Sequence, residues 1–366
     1  MLYKAGSDRI LFITVALMTI FGLVMLYSAS SVVAAAQHGA SSYYFLRQLA
    51  CAVIGFLLMI ALMNVDYHLW SNPKVVRLLI LISLLSLVVV LFQPPINGAS
   101  RWIRLSGLPS FQPSELAKVV VLFFLARFLH EHEPVINRPV QGLLPCLLTV
   151  GLFAGLVVVE PDLGQAVCIA AIAGMLLFAA GLSWKYIAGG AALALPAFYF
   201  GVMRVPFRWD RVQTFLDPMH DPLGSGWQIS QSLTAVGSGG IFGLGLGAGK
   251  QKLFFLPEAH SDFIFAIIGE EIGLIGAALT CAAFLVFFFR GIRIALRAPD
   301  RFGFYLGLGI TLMVVVQAFI NVSSVLALMP AKGTALPFMS QGGTALLMNL
   351  LASGILLNIS HCSGRN

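Results

Sequence analysis

The sequence predicts an all-α integral membrane protein of about ten transmembrane helices, with one long extracytoplasmic loop between spans seven and eight. Three observations lead there. Charged residues make up only 10% of the chain, against about 25% in an ordinary soluble domain, so too few charges remain to cover a water-facing surface. Hydrophobic residues reach 59%, with a mean hydropathy of +0.92. The apolar runs are continuous over roughly 20 residues, as a membrane-spanning helix needs. A β-barrel would need shorter, alternating segments. Two other classes fall away. The net charge of +7 is scattered among apolar runs and forms no patch for nucleic acid. The five cysteines (Cys51, Cys146, Cys168, Cys281, Cys362) show no CxxC or Cys/His spacing, so neither a disulfide framework nor a metal site is indicated.

In chain order the expected spans lie near Ile10–Ser30, Phe45–Val65, Val75–Ile96, Ser114–His132, Gly142–Glu160, Asp162–Leu182, Tyr186–Val205, Asp262–Arg290, Phe302–Leu328 and Thr334–Ser360. The first is too long for a cleavable signal and is followed by further spans, so it is expected to stay in the protein. Residues 1–366 then form a single polytopic membrane domain, with 206–261 as its large loop.

Lys and Arg in the connections set the orientation. Twelve lie on the side of the termini and five (Arg101, Arg104, Arg47, Lys118, Lys332) in the short connections of the other side. Adding Arg204 and the long connection's Arg208, Arg211, Lys250 and Lys252 narrows this to twelve against ten. Long connections translocate largely regardless of charge, so they weigh less. Both termini are expected in the cytoplasm and the loop outside. That loop carries recurrent Trp, Phe and Leu, unlike a disordered linker, and a long ordered loop is usually functional.

The glycine run Gly237–Gly249 fails as a nucleotide motif. Leu244 and Gln251 break a Walker A, and Ala248 breaks a dinucleotide fingerprint. A tightly packed re-entrant or turn-rich segment is the better reading. Asp262 opens the eighth span, and a carboxylate at a membrane boundary is costly unless paired or functional. At 100° per residue, Ala266, Gly269 and Gly273 share its helix face, leaving room for close packing beneath it. A helix-start Asp favoured by the macrodipole explains it equally well. Glu115 and Lys118, at i and i+3, read first as a structural ion pair. Glu270 and Glu271 read either as a proton relay or as structural partners of Arg or backbone. Glu160 and Asp162 flank a very short outer turn and are expected in water. The outer cations Arg101, Arg104, Arg208, Arg211, Lys250, Lys252 and Lys332 are of the type that binds phosphate, and each singly is also an ordinary surface charge. Trp102, Trp209 and Trp227 suit an interfacial aromatic belt.

Several segments together resemble one family. Tyr27-Ser28-Ala29-Ser30, NGASRWI (97–103), QPSELAK (112–118), DPLGSGWQISQSLTAVGSGGIFGLGLG (221–247), LPEAHSDFIFAIIGEE (256–271) and PAKGTALPFMSQGG (330–343) are similar to the SEDS proteins of shape, elongation, division and sporulation. They run in family order over nearly the whole chain. LPEAHSDF is nearer the division members than the elongation members, in which Arg is commoner near position 259. Ser261 stands for a usual Thr, and Gln341 stands where Tyr is common, so Gln341 is given no role.

The resemblance implies a peptidoglycan glycosyltransferase that polymerises lipid II at the outer face of the bacterial cytoplasmic (inner) membrane and releases undecaprenyl pyrophosphate. It implies a septal role, a class B penicillin-binding transpeptidase as partner, a catalytic Asp262, and polar cavity residues Glu115 and Lys118. With them Arg101, Arg208, Arg211 and Lys332 are expected to hold the pyrophosphates. No cofactor is evident, and a divalent cation (Mg2+ or Mn2+) is left open. A lipid II flippase or transporter, and a non-catalytic division scaffold, are the alternative readings. No pair of Gly- or Pro-broken helices at matching positions in two halves favours the transporter.

Overall fold

A computed structural model describes residues 7–94, 99–104, 110–217, 224–330 and 333–363. Among them the regular structure is helical, apart from a single bridge between Ile103 and Phe111. The helices are α1 (Arg9–His38), α2 (Tyr43–Met63), α3 (Pro73–Val90), α4 (Pro113–His132), α5 (Leu144–Val159), α6 (Leu163–Ala179), α7 (Trp184–Phe198), α8 (Pro206–Leu216), α9 (Ser225–Ser238), α10 (Ile264–Leu296), α11 (Arg301–Val325) and α12 (Gly343–Ser363). Seven segments are long and apolar enough to cross a membrane, by length and composition: α1, α2, α3, α5 with its preceding turn (Pro139–Val159), α10, α11 and α12. The protein is therefore a multi-pass membrane protein. Helices α4, α6 and α7 stand at the other three expected positions. The last two are shorter, and α4 carries Glu115, Lys118, Arg127 and Glu131.

Helix ends follow local chemistry. Asp8, Asn72, Asp162 and Asp300 cap α1, α3, α6 and α11 by accepting backbone N–H groups, which satisfies donors that have no partner within the helix. α1 runs to His38, past the expected Ser30, and stops where Gly39 takes a left-handed conformation (φ 73°). The expected last span fails at its start. Residues 333–342 form a loop, and α12 begins only at Gly343. Pro337 and the Gly342-Gly343 pair are poor helix formers, and this loop covers the site described below.

The core is a central set of helices. In α11 and α12, 72% of the most apolar stretch is buried inside the protein, against 22% in α3. α4 is buried on nearly every side as well, from Ser114 to Leu129. The other helices pack around this set and leave Leu17, Leu57, Leu81 and Leu148 facing outward, as lipid contact requires.

α10 is broken one third of the way along. Gly273 has φ 73° and ψ −164°, a conformation essentially restricted to glycine. The glycine-rich segment after α9 fills the break. Leu244 and Gly245 donate N–H groups to the carbonyls of Glu270 and Glu271 (both 3.0 Å), while the carbonyls of Gly240 and Ile241 accept from Leu274 and Ile275 (2.9 and 3.3 Å). Irregular backbone at membrane depth is tolerated only when protein satisfies it, and here one break satisfies the other. The expected tightly packed, turn-rich segment is what the structure has. A Cβ on Gly273 would overlap the Gly243 nitrogen. Gly273→Ala should therefore lose well over the roughly 1–3 kcal/mol of a strained residue, seen as a large fall in melting temperature in detergent. Gly151→Ala, which meets open space, should change little.

Candidate functional site

The site lies where the N-terminal ends of α4 and α6, the turn before α10, and the 333–342 loop meet the side of α11. Asp262 is not in a helix. It sits in a turn in which the Glu258 carbonyl accepts from the N–H groups of Ser261, Asp262 and Phe263 at 3.1–3.3 Å. The expected small face of α10 is used differently. Gly269 packs against Val236 of α9, and a Cβ on Gly239 would overlap the Gly269 carbonyl. That face therefore holds α9 rather than underlying the carboxylate.

Asn321 fixes the turn. Its amide donates to the main-chain carbonyls of Asp262 (2.8 Å) and Thr334 (2.6 Å). One turn earlier on the same face, Gln317 donates to the Ala335 carbonyl (2.8 Å) and accepts from the Lys118 ammonium (2.5 Å). The two amides thus draw the 333–336 loop against both Asp262 and Lys118. Gly333 closes over the carboxylate. A Cβ there would lie 2.7 Å from Asp262 Oδ2, so any side chain would press on that group.

The expected Glu115–Lys118 pair forms at 2.9 Å, with both side chains about 98–99% buried. Glu115 also accepts from Gln165 of α6 (2.7 Å). Asp162 caps α6 and accepts from Gln112 (3.2 Å). Glu160 and Asp162 were expected in water, and here the structure differs: they are 0% and 3% exposed. Arg101, whose guanidinium bonds to the Glu160 and Pro161 carbonyls, braces the outer turn. Among the described residues, neither carboxylate oxygen of Glu160 has a hydrogen-bond partner.

Burial dominates the electrostatics. It pushes the Asp262 carboxyl up to about 7, helped by Glu258 and Asp162 and opposed by Arg101 and Arg211. Glu160 rises to about 8 for the same reason, with Asp162 adding and Arg101 opposing. The Asp162 carboxyl is raised too, chiefly by burial. A carboxyl near 7 is half ionised at neutral pH, the range in which a general base works best.

The structure brings Glu115, Lys118, Arg101, Arg211 and Asp262 toward one end of the bundle. Lys332 lies outside the described residues, and of Arg208 only its place on α8 is described. Lys252 belongs elsewhere. It is buried against Glu271 (2.6 Å) and Ser28 (3.1 Å). Glu270 accepts from the N–H groups of Lys250 and Gln251. The two glutamates are therefore structural, binding the glycine-rich segment to the broken α10. Asp162, Gln165, Gln317 and Asn321 were missed. Gln317 and Asn321, at i and i+4 in an otherwise apolar run, were the available signal. Nothing in the sequence set them beside Asp262.

Breaking a buried ion pair from one side costs about 3–5 kcal/mol, whereas replacing both partners is often near neutral. Glu115→Gln and Lys118→Met should each destabilise strongly, and the double variant by much less than their sum. Melting temperatures of the four proteins of that cycle test this.

The cell cycle protein family model FTSW_RODA_SPOVE matches residues 8–364. A relative from Geobacter sp. (strain M18), named "Probable peptidoglycan glycosyltransferase FtsW", is 44% identical over 359 residues, 97% of each chain. Stage V sporulation protein E of Bacillus subtilis (strain 168) is 41% identical over 364 residues, 98% of each chain. Among solved structures, a chain of a peptidoglycan synthase complex that coordinates polymerization and crosslinking superposes with a TM-score of 0.82 at 28% identity, covering 99% of this chain and 100% of that one. The rod shape determining protein RodA of Thermus thermophilus gives 0.71 at 26% identity, covering 97% of each.

Proposed function

The chain belongs to the FtsW/RodA/SpoVE family of cell cycle proteins, and from that premise we propose that it is a peptidoglycan glycosyltransferase polymerising lipid II. The observation that carries the reading is the seat of Asp262: a carboxyl near neutral pKa, held by its own main chain and flanked by Arg101 and Arg211. Asp262 takes the proton of the acceptor sugar's hydroxyl as that oxygen attacks the anomeric carbon of the donor. The bond from that carbon to the pyrophosphate oxygen breaks, and undecaprenyl pyrophosphate leaves with the bonding pair. Arg101 and Arg211, with Arg208 and Lys332, neutralise the departing charge. Glu115 and Lys118, already paired, form the polar floor beneath.

Among the described residues no group of three His, Cys, Asp or Glu side chains is placed to hold a metal ion. In this reading the membrane is the bacterial cytoplasmic membrane, the termini are cytoplasmic, and Asp262 faces outward at the septum. The resemblance to a chain of a synthase complex supports a penicillin-binding transpeptidase as partner.

Polymer formation from labelled lipid II by purified protein in detergent separates this reading from a flippase or a scaffold, neither of which makes polymer there. Asp262→Asn should lower the rate by about 10²–10⁴-fold, while the surface variant Glu131→Gln stays active. Native activity should rise with pH through about 7 as the carboxylate forms. The stability sign is opposite. The folded carboxyl holds its proton to about 7 and the unfolded one only to about 3.9, so stability is lost as pH rises between those values. Asp262→Asn should melt above the native protein at pH 8 and equally at pH 4. Full polymerisation by Asp262→Asn would remove it as the base. A cysteine at Ser225 should react with an impermeant reagent from outside intact cells. Reaction only after permeabilisation would invert the orientation.

A further inference from the structure

At the end of the bundle opposite Asp262, the start of α1 and the last turns of α10 and α12 enclose a cavity of about 490 Å³. Arg9, Arg290, Arg293 and Arg297 line it, with Asp8 and the hydroxyl-bearing Ser360 and Ser363. From Leu274 to Arg290 the part of α10 beyond its break rises 16 residues, about 24 Å at 1.5 Å per residue. The cavity is therefore no part of the Asp262 site.

Its walls are organised. Asp8 caps α1 through Leu11 N–H (2.9 Å), donates its own N–H to Ser360 Oγ (2.8 Å) and accepts from Arg290 Nε (2.9 Å). The one carboxylate of the cavity is thus already engaged by Arg290. Positions 290, 293 and 297 fall on one face of α10, and the Arg293 and Arg297 side chains are exposed. Arg9 aside, the three guanidinium groups of α10 against one carboxylate leave a surplus of two positive charges among the lining residues. The negative end of α10 offsets only about half a charge. A topology signal would be met by Lys or Arg anywhere near the membrane and asks for neither a cavity nor hydroxyls. All four cations here are arginine, whose planar fork matches phosphate oxygens.

An apolar lane leads up to these charges. Ile10, Ile13 and Leu17 of α1 are 50–61% exposed, and Leu285, Val286 and Phe289 of α10 are 38–65% exposed. The two helices pack together, so these side chains face hydrocarbon directly beside the arginines. A soluble anion would use the charges and leave the lane idle.

We propose that the cavity binds an anionic phospholipid whose headgroup carries two phosphodiesters, with its phosphates on the arginines and its acyl chains along α1 and α10. Two phosphodiesters come closest to matching the surplus charge, and basic pockets between membrane helices are known hosts for such headgroups. The site would join α1 to α10 and α12.

Delipidated full-length protein is mixed with cardiolipin, phosphatidylglycerol or phosphatidylethanolamine at equal mole fraction, and retained lipid is read by native mass spectrometry. Cardiolipin should be retained at least about tenfold over phosphatidylethanolamine, with phosphatidylglycerol between them. Arg293→Gln with Arg297→Gln should lower cardiolipin retention about tenfold at an unchanged melting temperature. The single Arg297→Gln, about threefold, serves if the pair does not fold. Arg77→Gln, a basic residue on α3, should retain cardiolipin normally. Equal retention by the Arg293/Arg297 variants, or no preference among the three lipids, overturns the proposal. Displacement of cardiolipin by millimolar inorganic pyrophosphate would also overturn it, by making the site one for soluble anions. None of these readouts uses polymerisation, so the outcome is independent of the function assigned to Asp262.

Discussion

Inside a bundle surrounded by lipid, neither solvent nor neighbour supplies a missing hydrogen bond, so a backbone group freed from its helix has to find its partner within the protein. The structure is arranged around that constraint. The break in α10 frees backbone carbonyls and amides, and the glycine-rich segment supplies their complements. Glu270 and Glu271 then anchor the same segment through the N–H groups of Gly247, Lys250 and Gln251 and the ammonium of Lys252. A run of glycines with no nucleotide chemistry is thereby explained. The glycines allow the backbone of one segment to come within hydrogen-bonding distance of another, and Gly239, Gly243 and Gly273 have no room for a side chain.

The same constraint builds the site. Two carboxamides on α11 carry four contacts: Gln317 to Lys118 and Ala335, and Asn321 to Asp262 and Thr334. They fix main chain and ammonium but leave the Asp262 carboxylate itself without such a bond. That carboxyl is crowded by packing and by Gly333, and its proton affinity rises accordingly. In the role proposed for Asp262, function is set against stability, as residues held for catalysis are often costly to the fold. A carboxyl kept near neutrality by burial is one form of that cost, because the protein would be more stable with a neutral group there.

Charge is sorted by depth. Glu115 with Lys118 and Glu271 with Lys252 are neutral pairs in the interior. Other cations sit toward the ends: Arg101 and Arg211 near Asp262, and the arginines around Asp8 at the other end.

What the sequence by itself determined is the class and most of the helix plan. Length of apolar run and scarcity of charge are local properties, and lipid rewards them helix by helix, so α1 to α6 fall close to their expected places. The Glu115–Lys118 pair was legible because i and i+3 residues meet whatever the rest of the chain does. The start of α12 was misplaced because apolar content outweighed Pro337 and paired glycines, which lipid does not override. Tertiary structure alone decided which distant residues meet. That Asn321 holds Asp262, that Gly333 closes over its carboxylate, and that Glu160 and Asp162 are buried beneath an outer turn depend on a loop lying against α11 and on helices brought together from far apart in the chain. Hydrophobic pattern reports how a residue relates to lipid. It carries no record of which polar partner another helix will present, or of which carboxyls, like those of Asp262 and Glu160, the packing will bury and so raise in proton affinity.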